Sequence, residues 1–230
     1  MVTLALAVGL QIDRGAERRA DAGRDRRLHP VAPSVAKVIV AGRRRAEALV
    51  AQLERSARDD VTYAEVGGTR WPDLPDGYRH DRVARRVGQG ERAWERAKDA
   101  IRLWKAQAHV GITLTPARPD LFEGNTVLAS RGVGPVSVAA PCRIVYVTDE
   151  PSRFGFAYGT LPGHPVRGEE AFHVFADDHE AVWAEITAFS RPDDLPTRLA
   201  GPVGRRIQVA AARRYLQGLA QHVDPAGPSP

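Results

Sequence analysis

One short segment of the chain holds two side chains that could carry acid–base chemistry. Residues 161–170 read Leu-Pro-Gly-His-Pro-Val-Arg-Gly-Glu-Glu, so His164 lies on a loop stiffened by proline and Glu170 lies on the strand that follows. A buried carboxylate beside a histidine can act as a general base, with a pKa set by burial and by nearby cations. We therefore predict His164 and Glu170 as the catalytic pair of a possible enzyme. The alternative is a loop pinned by hydrogen bonds and ion pairs.

Other side chains near this segment could bind a ligand. Adjacent strand residues point to opposite faces, so either Glu169 or Glu170 can point inward. In the preceding strand, Phe154, Phe156 and Tyr158 share one face while glycine and alanine share the other, which predicts an aromatic surface opposite a closely packed one. Tyr158 then either lines a cavity or belongs to the core. The predicted ligand-binding residues are Tyr158, Arg143, Arg70, Arg191 and Glu169.

Motifs for common cofactors and metals are missing from the sequence. One histidine with one glutamate is too few for a metal site, and no other His or Cys is spaced to complete a set. Gly88-Gln-Gly90 is a fragment of a dinucleotide fingerprint without the βαβ context, and Ser190 lacks a nucleophile elbow. We expect no cofactor and no metal. Cys142 is the single cysteine, which excludes an internal disulfide and is compatible with a cytoplasmic location.

Sequence periodicity indicates the elements that position these residues. Apolar residues recur at helical spacing over 43–58, 91–109 and 199–223, which predicts three amphipathic helices. Strand patterns occur at 61–66 and 80–87, and a period of two then dominates much of the second half. The strands predicted there are Ile112–Thr115, Asn125–Ser130, Val136–Ala139, Arg143–Thr148, Arg153–Thr160, Glu169–Ala176 and Val182–Ser190.

This order of elements predicts an α+β fold. An antiparallel sheet needs one face covered, and the C-terminal helix is the only apolar element long enough to lie along it. The order resembles the helix-grip fold of START-like and birch-allergen-like proteins, in which a curved sheet wraps the last helix and leaves a cavity between them. We expect a single helix-grip domain over 41–222.

Positive charge is concentrated at the N-terminus of the 230-residue chain. The net charge is +5, but residues 1–45 alone contain ten basic and four acidic side chains, so the rest is nearly neutral. We predict a disordered basic arm over 1–40 and a disordered tail over 223–230. The folded domain is then expected to bind no nucleic acid, and no apolar stretch approaches the ~20 residues that cross a bilayer.

Several motifs resemble domain-of-unknown-function family nineteen-ninety (DUF1990), which occurs in bacteria and plants. The resemblance spans roughly residues 45–220 and implies a domain boundary and a set of motifs, because the family brings no established reaction. Val166 departs from the pattern, since an acidic residue is expected there. The motifs are Tyr63-Ala-Glu-Val-Gly-Gly-Thr-Arg70, Gly77-Tyr78, Gly88-Gln-Gly90, Cys142-Arg-Ile-Val-Tyr146, Gly155-Phe-Ala-Tyr-Gly-Thr-Leu-Pro-Gly-His-Pro165, Gly168-Glu-Glu170 and Ala188-Phe-Ser-Arg-Pro192.

The sequence favours a protein that binds a small hydrophobic or amphipathic molecule between the sheet and the C-terminal helix. Such pockets are mostly apolar with a few convergent polar groups. One alternative is an enzyme of cyclase, dehydratase or hydrolase type that uses His164 and Glu170 with an arginine. A second is a module that binds nucleic acid or an anionic membrane through its basic arm. A third is a scaffold whose terminal helix fills the space against the sheet.

Overall fold

The computed structural model describes residues 38–40, 43–133, 136–192 and 201–225. Most of the predicted arm (1–40) and tail (223–230) therefore lies outside the described residues. The elements are β1 (Val38–Val40), α1 (Arg43–Ser56), a 3-10 turn (Gly68–Arg70), β2 (Arg79–Gln89), α2 (Gly90–Arg102), α3 (Lys105–His109), β3 (Thr113–Pro116), β4 (Thr126–Val133), β5 (Val136–Glu150), β6 (Arg153–Thr160), β7 (Val166–Ala176), β8 (Ala181–Pro192) and α4 (Gly201–Val223).

The described strands form one antiparallel sheet in the order β2-β8-β7-β6-β5-β4-β3, and β1 pairs with β5 outside this path. Consecutive strands from β3 to β8 are neighbours, as expected for hairpin connections. In the centre of the sheet, Tyr158 of β6 pairs with Glu170 of β7 and Gly155 pairs with His173. This register decides which side chains meet on each face.

Helices α2, α3 and α4 cover one face of the sheet, which we call the helix face. Phe156 and Phe172 of the sheet share one core with Trp94 of α2 and with Tyr215 and Leu219 of α4. The sheet and the C-terminal helix packed against it confirm the α+β helix-grip fold predicted from the sequence. We call the opposite side of the sheet the outer face.

Two predicted elements differ from the structure. Residues 61–66 do not form a strand, because they cross the outer face instead of pairing along an edge; their link to the sheet includes a bond from the Thr62 amide to the Thr160 carbonyl. The helix predicted over 91–109 is divided between α2 and α3. The division falls at Trp104, whose left-handed backbone (φ 54°) ends the helical path.

The bounds of the other predicted strands agree with the structure to within three residues, except that two predicted strands form a single one. The segments predicted as Val136–Ala139 and Arg143–Thr148 are parts of the single strand β5. Its register with β6 shifts between Ile144 and Tyr146, which marks a β-bulge at Val145. The bulge sends Tyr146 to the outer face, whereas Ile144 belongs to the core of the helix face.

Candidate functional site

Tyr158 and Glu170, two of the predicted site residues, meet on the helix face. The Tyr158 hydroxyl donates a 2.8 Å hydrogen bond to Oε2 of Glu170, and both side chains are buried. The surroundings are aromatic: Phe172 packs on Tyr158 and also on Tyr215 of α4. Burial and the nearby Glu170 charge raise the pKa of the Tyr158 hydroxyl well above its usual value. The phenol therefore keeps its proton and acts as a donor.

His164 lies in the loop between β6 and β7, held by its own backbone. Its Nδ1 is 2.9 Å from the carbonyl oxygen of Val166. Its Nε2 is buried and has no hydrogen-bond partner in the described part of the chain. Burial lowers the pKa of His164 to about 4, so the ring is neutral at pH 7. Glu170 is bonded to Tyr158, and an acid–base partnership of His164 with Glu170 stays a prediction.

Glu169 lies on the outer face, opposite to Glu170, as strand alternation predicts. Its buried carboxylate accepts four hydrogen bonds: from the Tyr63 hydroxyl (2.8 Å), the Gly67 amide (2.7 Å), the Thr69 amide (2.9 Å) and the Thr69 hydroxyl (2.5 Å). A buried charge is tolerated when hydrogen bonds replace its hydration. Glu169 therefore fastens residues 63–69 and the following 3-10 turn to the sheet.

Glycine in β6 makes this attachment possible. A Cβ atom at Gly159 would lie 2.1 Å from the Tyr63 hydroxyl oxygen, and one at Gly155 would lie 2.6 Å from Cδ2 of His173. The closely packed face predicted from the alternation of glycine and alanine is thus confirmed. The groups that pack there are the rings of Tyr63 and His173 and, at Gly155, the backbone carbonyl of Phe172.

Arg70 extends from the turn across the outer face. Its guanidinium carbon lies 4.2 Å from the centre of the Tyr146 ring. The Tyr146 hydroxyl is 2.8 Å from Oγ1 of Thr69, which links it to the carboxylate of Glu169. His173 stacks beside Tyr146, with ring centres 5.9 Å apart and planes inclined by 20°. A network of buried polar groups therefore fixes the position of Arg70.

A cleft of about 680 Å³ on the outer face is lined in part by Thr69, Arg70, Tyr146 and His173. Trp71 is 66% exposed at its edge, and Arg82 donates a 3.0 Å hydrogen bond to the Trp71 carbonyl. Arg153 forms a 2.8 Å ion pair with Glu185 on the same lining. The cleft is an open, polar concavity of the size that holds small molecules.

His173 forms part of the cleft floor and is neutral at pH 7. Burial is the main cause that lowers its pKa to about 3, and the cations of Arg153 and Arg70 add to the effect. Its Nε2 is 3.3 Å from the Thr148 hydroxyl. Sequence reasoning missed His173, although it lies four residues after Glu169 on β7 and therefore on the same face.

The other two predicted ligand-binding residues lie elsewhere. The Arg143 guanidinium donates to the carbonyl oxygens of Ser56, Ala57 and Asp59 at 2.9, 3.1 and 3.2 Å, and so caps the C-terminus of α1. The Arg191 guanidinium carbon lies 4.8 Å from the centre of the Tyr78 ring. The structure thus joins Tyr158 to Glu170 on the helix face and groups Arg70 with Glu169 on the outer face.

The described ranges hold no group of three or more His, Cys, Asp and Glu side chains placed to bind a metal ion. None of the helices in those ranges is both long enough and apolar enough to cross a membrane. Cys142 is fully buried and unpaired, as expected for a packed thiol.

The antiparallel sheet and the C-terminal helix across one of its faces define the protein as a helix-grip α+β domain. Residues 62–218 match the family described as Domain of unknown function (DUF1990). The chain belongs to this family, and the resemblance found in its motifs is confirmed.

Relatives occur in distant organisms. A UPF0548 protein of Deinococcus radiodurans is 38% identical over 184 residues, which cover 74% of this chain and 91% of the relative. A UPF0548 protein of Arabidopsis thaliana is 33% identical over 160 residues, covering 65% of this chain and 75% of the relative. Among solved structures, hypothetical protein jhp0584 of Helicobacter pylori is similar with a TM-score of 0.48 and 10% identity, covering 72% of this chain and 96% of that one.

Proposed function

We propose that this protein binds a small, largely apolar molecule between the helix face and α4, with Tyr158 and Glu170 as polar contacts. The observation that carries the proposal is their 2.8 Å hydrogen bond, buried among aromatic side chains under the C-terminal helix. Ligand pockets combine an apolar lining with a few polar groups that fix the ligand's orientation. We take 41–222 as the binding domain, with the arm outside it.

The polar pair limits the chemistry of the ligand. Tyr158 donates its single proton to Glu170, so its hydroxyl oxygen and the Glu170 carboxylate can both accept from a hydroxyl or an amine of the ligand. Burying either group without a partner costs about 1–3 kcal/mol. We therefore expect a ligand with an apolar skeleton and one or two oxygen or nitrogen functions at one end.

An enzyme is the second candidate, favoured by one observation. Nε2 of His164 is buried without a hydrogen-bond partner among the described residues, and the ring is neutral, which is the form that accepts a proton. Turnover would require a substrate atom to reach Nε2. The third candidate, binding of nucleic acid or anionic membrane, depends on residues 1–40 and stays a prediction.

Native mass spectrometry of the full chain tests ligand binding, with Tyr158→Phe as the decisive variant. Tyr63→Phe is a matched control, because it removes an equivalent 2.8 Å hydrogen bond from a buried tyrosine to the neighbouring Glu169, on the outer face. We expect wild type and Tyr63→Phe to retain a small-molecule adduct that denaturation releases. Tyr158→Phe should retain about tenfold less.

Two results would contradict the proposal. One is an adduct that survives unchanged in Tyr158→Phe. The other is a wild-type protein that carries no adduct and gives no saturable binding of Nile red, an uncharged apolar probe. Retention of the adduct in His164→Ala, together with loss of turnover of the identified compound, would instead favour the enzyme.

A further inference from the structure

We infer that the cleft on the outer face is a second binding site, for a small aromatic molecule that carries a single oxyanion, either a carboxylate or a phosphate. This site shares no side chain with the helix-face proposal. Three features of the cleft lining support this assignment: its arginines, its acidic rim and its exposed tryptophan.

Two arginines of the cleft, Arg70 and Arg82, have no carboxylate partner among the residues that the structure describes. Arg153, by contrast, is balanced by Glu185 at 2.8 Å. Arg70 is exposed and lies over the Tyr146 ring, and Arg82 uses one N–H on the Trp71 carbonyl. A guanidinium has five N–H donors, so both retain donors for an oxyanion.

The acidic side chains of the cleft limit how much negative charge a ligand can carry. Asp149 and Glu150, at the end of β5, line the cleft and are exposed. A ligand with several negative charges would be repelled by this rim, whereas one oxyanion directed at Arg70 and Arg82 is attracted. The site therefore favours a monoanion or a compact dianion over a polyanion such as nucleic acid.

The lining also contains one exposed aromatic side chain. Trp71 is 66% exposed, whereas the stacked rings of His173 and Tyr146 are buried. An exposed tryptophan beside a cation matches a ligand that has an aromatic body next to its anionic group. Glu169 acts as a positioning residue, because its bonds to Thr69 fix the backbone that carries Arg70.

Isothermal titration of the full chain with benzoate, phenyl phosphate and benzyl alcohol tests this inference. Arg70→Gln is the decisive variant. Arg102→Gln is its matched control, since Arg102 is also exposed and its guanidinium carbon lies 4.6 Å from a ring centre, that of Phe154. We expect saturable binding of at least one anion by wild type and Arg102→Gln, and binding about tenfold weaker or more in Arg70→Gln.

The relative affinities of the three ligands show which anionic group the cleft prefers. Tighter binding of phenyl phosphate indicates a phosphate site, tighter binding of benzoate a carboxylate site, and benzyl alcohol should bind at least tenfold more weakly than either. The inference is overturned if neither anion binds at millimolar concentration, if benzyl alcohol binds equally well, or if Arg70→Gln and Arg102→Gln bind alike. Thermal unfolding of each variant verifies that it is folded.

Discussion

Replacing Glu169 by glutamine should detach the turn that carries Arg70. The carboxylate accepts two hydrogen bonds at each oxygen: Tyr63 and Gly67 at Oε2, and both donors of Thr69 at Oε1. A glutamine amide has one oxygen, so its NH₂ group must face one of these two pairs. The hydroxyl of Tyr63 can rotate and accept from it, but the Gly67 amide cannot.

The loss of stability in Glu169→Gln follows from this mismatch between the glutamine amide and the donors that face it. The partly buried Gly67 amide, left without an acceptor, costs about 1–3 kcal/mol, and loss of the charge weakens the remaining three bonds by roughly half a kcal/mol each. Glutamine carries no charge, so the desolvation cost of burying the Glu169 charge disappears, and this offsets part of the lost stability. We expect Glu169→Gln to lower the free energy of unfolding by about 2–4 kcal/mol.

Urea unfolding at pH 7 measures the total loss of unfolding free energy. Hydrogen exchange shows which amides lose their protection. The amides of Gly67 and Thr69 should exchange slowly in wild type and much faster in Glu169→Gln. Tyr63→Phe, which removes one of the four donors, should cost about 1–2 kcal/mol. A loss below about 0.5 kcal/mol in Glu169→Gln, with both amides still protected, would refute the role assigned to this carboxylate.

Three further predictions concern packing, protonation and thiol access. Gly159→Ala should lower the unfolding free energy by about 1–3 kcal/mol in urea melts, because its Cβ would overlap the Tyr63 hydroxyl; an unchanged midpoint would contradict the close packing. The pKa of His173 is lowered to about 3, so its contribution to stability is complete above pH 6.5 and falls as acid protonates the unfolded chain. The stability difference between pH 7 and pH 4 should therefore shrink by about 1–3 kcal/mol in His173→Gln, and an unchanged difference would argue against a neutral buried ring. Burial raises the pKa of the Cys142 thiol, so native protein should react with Ellman's reagent only as fast as it unfolds; rapid reaction would mean that this strand is accessible.

Local periodicity was sufficient to predict much of the fold. Strand β6 was predicted at Arg153–Thr160, its observed bounds, because aromatic and small residues alternate along it without interruption. Residues 61–66 have a similar β-like composition, yet their polar groups are satisfied by the loop's contacts with β6 and Glu169. Composition alone does not reveal such long-range partners.

The candidate site, like the fold, could be predicted from the sequence only where local periodicity decides the structure. Alternation predicted that Glu169 and Glu170 point to opposite faces, and the structure confirms it. The β-bulge at Val145 reverses the alternation of β5, so Tyr146 reaches the outer face instead of the core beside Ile144. A bulge depends on pairing between strands. Tyr146 and the cleft beside it therefore could not be placed from the sequence.

A crystal structure of the full chain, purified without any step that strips bound molecules, tests the central claim most directly. We predict electron density for a small molecule between β6, β7 and α4, with an oxygen or nitrogen atom within hydrogen-bond distance of the Tyr158 hydroxyl or the Glu170 carboxylate. An interior filled by protein side chains alone, in a protein that also takes up no Nile red, would contradict the proposed function.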